Sequence, residues 1–150
     1  MSVIKITGLS SALLNSALRQ SLGINVNGYA AFTGIYQGSP PNIVDVVNNV
    51  TTFRASDLLW SSEGSANTVL PLGYQLNGDG FFYPKKPGIA GWFLCAGIDK
   101  ATRNIMSFIT GRVSESGGDG DLILSSTTLE SNNKYRIHQL KLNIPYSFTY

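Results

Sequence analysis

The period of the hydrophobic positions changes once along this chain. Between residues 8 and 22 apolar side chains recur every three or four positions. Leu9, Leu13 and Ala17 form one stripe, and Leu14, Leu18 and Leu22 form an adjacent one. That spacing predicts an amphipathic helix over 8–22, capped by Ser10 or Ser11 and ended by Gly23. Its apolar arc is wide, so it must pack against something. A sheet of its own domain is the plain choice, and a neighbouring subunit is the alternative.

After Gly23 the pattern becomes that of strands. Residues 29–36 (YAAFTGIY) are aromatic and β-branched. A rigid turn follows at 37–42, where Pro40 and Pro41 remove two backbone donors from any ladder. Residues 43–50 read equally as a strand or a short helix, and the polar stretch 61–67 reads as a loop. Asn77-Gly78-Asp79-Gly80 is the strongest turn signal. Next come an aromatic strand at 81–83, a turn at 85–88 and an apolar strand at 89–96, expected to be central. Turns at 99–104, 115–120 and 131–134 then separate a strand at 105–113, a run at 121–129 and a last strand at 135–144. In that last strand Leu140, Leu142 and Ile144 share one side, while Gln139, Lys141 and Asn143 share the other. Ile137 breaks the phase, which marks a bulge or an interface face.

The expected fold class is therefore mainly β: an antiparallel β-sandwich or small barrel with one N-terminal α-helix. The 150 residues suit one domain, with a helix at 8–22, a β domain at 29–145 and a tail at 146–150. The later chain shows no crossover helices, which argues against a doubly wound sheet.

Composition narrows the function. Charged residues are only 13% of the chain and the net charge is +2, which argues against a basic nucleic-acid binder. No stretch reaches 18 apolar residues, so no membrane insertion is expected, and the start lacks the long apolar core of a signal peptide. Titratable chemistry is sparse. His138 is the only histidine, without zinc-ligand spacing around it. Cys95 is the only cysteine and lies in the apolar run GWFLCAG, where a small buried hydrophobe is expected and a Cys95–His138 dyad is the remote alternative. Glu115, Asp119 and Asp121 cluster in a Gly-rich loop and raise the question of a cation, but their spacing does not match an EF-hand. Phosphate-cradle glycines and a nucleophile elbow are missing. Lys85 and Lys86 follow Phe81, Phe82 and Tyr83, too few cations for a single-strand platform. The reading is a non-enzyme with no cofactor, no catalytic residue and no metal ligand.

Aromatic content is more telling. Tyr146, Phe148 and Tyr150 alternate at the end of the sequence. Three aromatics at period two suit an edge strand laid on a neighbouring subunit or on the same domain. The interface candidates are accordingly Leu9, Leu13, Leu14, Leu18, Tyr146, Phe148 and Tyr150. A second functional reading is a carbohydrate- or host-surface-binding module presenting Trp60 or Trp92, although Trp92 sits in the apolar run and reads as core.

Four segments, in order, resemble a family of small tailed-bacteriophage virion structural proteins. They are the opening TGLSSALLNSAL, the Ile35-Tyr36-Gln37-Gly38-Ser39-Pro40-Pro41 element, the Ala90-Gly91-Trp92-Phe93 strand, and a closing region over 111–144. That closing region has a G-x-V segment, a Ser-Gly-rich turn, Asp121-Leu122 and a final strand before Pro145. The chain departs from the family where Leu94 and Cys95 follow the Trp-Phe pair in place of arginine, and where 146–150 extends past the final proline. The resemblance implies a structural subunit of the virion, as a head-decoration, collar or tail component. Its partners would be copies of itself and other phage capsid or tail proteins, without direct nucleic-acid binding.

Overall fold

The computed structural model describes residues 27–42, 56–64 and 81–140. The helix expected at 8–22, the tail 146–150 and the ambiguous segment 43–50 lie outside the described residues. Within them are eight strands: β1 (Tyr29–Gln37), β2 (Leu58–Gly64), β3 (Phe81–Phe82), β4 (Gly88–Asp99), β5 (Ile105–Glu115), β6 (Leu122–Leu124), β7 (Thr128–Leu129) and β8 (Tyr135–Leu140). They form one sheet in the order β2-β1-β4-β5-β6-β8-β3, with β7 beside the start of β4. The two ends of that order approach each other. The Lys85 N–H, just past β3, donates to the Leu59 carbonyl of β2 at 3.0 Å. Trp60 of β2 packs against Phe82 of β3 with ring centroids 5.2 Å apart. The sheet is thus a nearly closed barrel, and the described chain is mainly β.

Two expectations need correction. Residues 61–64, read as loop, are the second half of β2, with Ser61 opposite Gly34 and Ser62 opposite Thr33. Their polar sequence carries no strand signal; the partner β1 supplies the ladder. The pairing is also not wholly antiparallel, because β6 runs parallel to the end of β5, with Val113 opposite Leu122. Parallel neighbours ordinarily need a long crossover. Here the loop between them folds back on itself. Gly117 takes a left-handed φ of 88°, and the Asp121 N–H donates to the Arg112 carbonyl at 2.8 Å. Beyond Arg112 β5 no longer pairs with β4, and β7 pairs with β4 at Gly88 and Ile89.

Register shifts place one extra residue at four points, each a bulge. Leu59 is unmatched in β2, Gly91 in β4 against β1, Met106 in β5 and His138 in β8. A bulge moves the alternation by one, so side chains on either side of it change face. This accounts for exposed Met106, the unmatched residue of β5 facing the buried end of β4. It also resolves the phase break at Ile137: the shift across His138 puts Ile137 opposite Leu124 and Leu140 opposite Leu122.

The central strands do not alternate between core and solvent. In β1 every residue between Tyr29 and Gln37 is buried, and β4 is buried continuously from Trp92 to Ile98. Their side chains feed two separate apolar clusters. One fills the barrel with Ala31, Ile35, Leu59, Phe82, Phe93, Cys95, Ile109, Leu122 and Leu124 among others. The second lies on the outer face and comprises Ala30, Phe32, Tyr36, Trp92, Leu94, Ala96 and Ile98, edged by Leu58, Ile105 and Phe108.

Candidate functional site

The segments singled out by motif meet each other in the fold. Tyr36 and Trp92 are register partners on β1 and β4. Their rings stack in parallel on the outer face, with centroids 4.0 Å apart and planes 8° from parallel. Burial pushes the Tyr36 hydroxyl above its ordinary range. Gly34 makes room for the stack: a Cβ there would lie 2.7 Å from the Tyr36 ring and 3.0 Å from Phe32. The bulged Gly91 is pressed against the turn after β1, where a Cβ would sit 1.8 Å from the Gly38 carbonyl oxygen. Gly38 itself turns the chain with φ 91°, which favours glycine.

The closing motif forms a second joint. A Cβ on Gly111 would lie 2.4 Å from the Asp121 carboxylate. That carboxylate, largely buried, accepts the Arg112 N–H at 3.2 Å. Glu115 bridges the gap where β5 has parted from β4. Its Oε1 accepts the Thr127 N–H at 3.0 Å and the Thr127 hydroxyl at 3.2 Å. Two of the three acids in the Gly-rich loop therefore satisfy backbone donors of the loop and its neighbours, while Asp119 is exposed. Among the described residues no group of three or more His, Cys, Asp or Glu side chains is placed to hold a metal ion.

Cys95 lies in the barrel interior and is fully buried. Burial raises its thiol to about 12, while a hydrogen bond with Thr33, its register partner, opposes that shift. A thiol so far from ionising is a poor nucleophile. His138 is the exposed extra residue of the β8 bulge, so the fold puts the two members of the suggested dyad in different environments. Trp60 is half-buried and packs on the interior cluster through Phe82. Trp92 is buried, as its apolar surroundings suggest. The interface candidates Leu9, Leu13, Leu14, Leu18, Tyr146, Phe148 and Tyr150 all lie outside the described residues.

One grouping escaped the sequence reading. Lys134 places its Nζ 3.8 Å from the centroid of Phe81, and the Arg136 guanidinium lies 5.7 Å from it. Asn132 N–H donates to the Pro84 carbonyl at 2.8 Å, drawing the loop before β8 beside Lys85. Two cations of the β8 stretch thus lie against Phe81 of β3, a juxtaposition made by the β3–β8 pairing. The only hint in sequence is the basic K-Y-R after a turn, and it gains meaning only once β3 and β8 are known to pair.

Comparison with protein-family models, with curated proteins and with solved structures finds no match to this chain. No helix among the described residues is long and apolar enough to cross a membrane, which says nothing of a β-barrel.

Proposed function

We propose that this protein is a non-enzymatic structural subunit of a bacteriophage virion, built as a small β-barrel with an N-terminal helix and assembling through contacts with its own copies and neighbouring capsid or tail proteins. One observation carries the reading. Six residues from three of the four segments that resemble small virion proteins meet as close contacts between strands and turns. Tyr36 stacks on Trp92, Gly91 seats against Gly38, and Gly111 seats against Asp121. These contacts fix strand order and bulge position. A resemblance carried by such contacts is a resemblance of scaffold, in keeping with a role that needs shape and neighbours more than a reacting group. The low charge of the chain supports the same reading, because a subunit covered by neighbours keeps less surface for water.

Mass spectrometry of particles purified from a producing host tests this proposal. The chain is expected in the particles at a fixed ratio to the major capsid protein. Deleting residues 146–150 is expected to lower incorporation while leaving the thermal transition of the free protein nearly unchanged. Absence of the chain from purified particles overturns the reading.

A further inference from the structure

The wall made by β1, β4 and β5 is apolar on both sides, and the outer side has no counterpart among the described strands. Leu94, Ala96, Ile98 and Tyr36 are 0% exposed there, and Trp92 is 3% exposed. All eight described strands belong to the one sheet, so none of them lies across this face. The burial is nevertheless reached within a single chain.

We propose that the outer face of the β1–β4–β5 wall is a docking site for the chain's own amphipathic segment, residues 9–22. Three observations select it. Residues 9–22 have the clearest apolar arc at helical spacing in the sequence: Leu9, Leu13, Leu14, Ala17, Leu18 and Leu22. As a helix, 14 residues extend about 21 Å, and the six steps of β1 from Ala30 to Tyr36 extend about 20 Å, so one helix matches the face. The connection is short: residues 23–28 span at most about 21 Å, and they lead directly into β1. Gly28 reverses the chain there with φ 85°, and its carbonyl accepts the Lys100 N–H at 3.0 Å. Chemistry agrees with length. The outer cluster contains no charged side chain, and the segment carries a single charge, Arg19, on the side away from its leucines. An arc used in this way is spent within its own subunit, which leaves the tail 146–150 as the remaining interface candidate.

The test uses the full chain and two reporters. Trp60→Phe leaves Trp92 as the sole tryptophan, reporting the outer face by acrylamide quenching. Cys95 reports the interior through its reaction with a disulfide reagent. In that background Leu13→Asp with Leu14→Asp is expected to raise quenching of Trp92 several-fold while Cys95 stays unreactive. Ala12→Asp with Arg19→Asp, on the opposite side of the helix, is expected to change neither. Should the leucine pair also expose Cys95, Leu14→Ala alone is used, and it is expected to raise quenching of Trp92 with Cys95 still protected. Equal quenching in the arc variants and the opposite-side variant overturns the proposal. So does protection of Trp92 that light scattering finds only in dimers or larger species, since a second copy would then be the cover.

Discussion

Leu122 and Leu94 are both 0% exposed, yet the fold buries them by different means. Leu122 points into the barrel, where the strands that curve around it supply its neighbours, Phe82, Phe93 and Ile109 among its cluster. Leu94 points outward from β4, into a cluster of β1 and β4 side chains edged by β2 and β5. The interior is closed by the sheet itself. The outer face is finished only when another layer lies on it. A wall with two apolar faces is the pattern expected where a sheet is sandwiched between layers. On the proposal above, the barrel is one layer of a larger core, and residues 9–22 supply the next.

The sharpest way to break this comparison acts on both faces together. Gly91 sets the bulge that aims Ala90 and Phe93 inward and Trp92 outward. Gly91→Ala would drive a methyl into the Gly38 carbonyl, and a backbone clash of that kind is expected to cost about 4 kcal/mol or more. Urea denaturation checks it, and a loss below about 1 kcal/mol would show that the bulge can move. The next largest effect compares the faces directly. Leu122→Ala and Leu94→Ala are each expected to cost about 2–5 kcal/mol. If Leu94→Ala costs less than half as much as Leu122→Ala, the outer cluster is a partly wetted surface and the two-core description fails.

Cys95 separates the interior from the outer face by pH. Its thiol rises from an ordinary 9.0 to about 12 in the folded protein because burial disfavours the thiolate. The unfolded chain ionises first, so the folded state holds the extra proton between those values. The contribution is complete below pH 9 and is lost as pH climbs towards 12, at a slope approaching about 1.4 kcal/mol per pH unit. Stability measured from pH 8 to 11 is expected to fall more steeply for the wild type than for Cys95→Ala. Parallel curves would mean that water reaches the interior. The smallest effect belongs to the rim. Arg103 holds Glu63 through both guanidinium nitrogens, the longer contact being 3.1 Å, and both side chains are largely solvent-accessible. Arg103→Ala is expected to cost no more than about 1 kcal/mol, with the difference shrinking in high salt.

Much of the fold was legible where local chemistry is strong. The aromatic and β-branched runs became β1 and β4, and the turns at 99–104 and 131–134 fell between strands as read. In the first of these turns the Asp99 side chain accepts the Ala101 and Thr102 N–H groups, a local motif that a sequence advertises. The phase break at Ile137 also told the truth about a bulge. Ser61 and Ser62 did not, because a strand made of polar residues is specified by its partner. The parallel β5–β6 pair was equally hidden, since a Gly-rich turn looks alike whether the chain comes back antiparallel or folds over itself. Glu115 and Asp121 only raised the question of a cation in the sequence, with a flexible Gly-rich loop as the plainer reading. In the fold each carboxylate has a backbone N–H to accept.

By itself the sequence determined that the chain is mainly β, that its one cysteine is buried and that its acids are too sparse for an obvious metal motif, because these follow from composition and short-range pattern. The tertiary structure alone decided which face each side chain takes. A single extra residue reverses the alternation of everything beyond it, and the four bulges at Leu59, Gly91, Met106 and His138 are fixed by contacts between strands far apart in sequence. The continuous apolar runs of β1 and β4 fit a strand buried on both sides or a single core equally well when read alone. Only the folded wall separates them into an interior and an outer face that needs a cover.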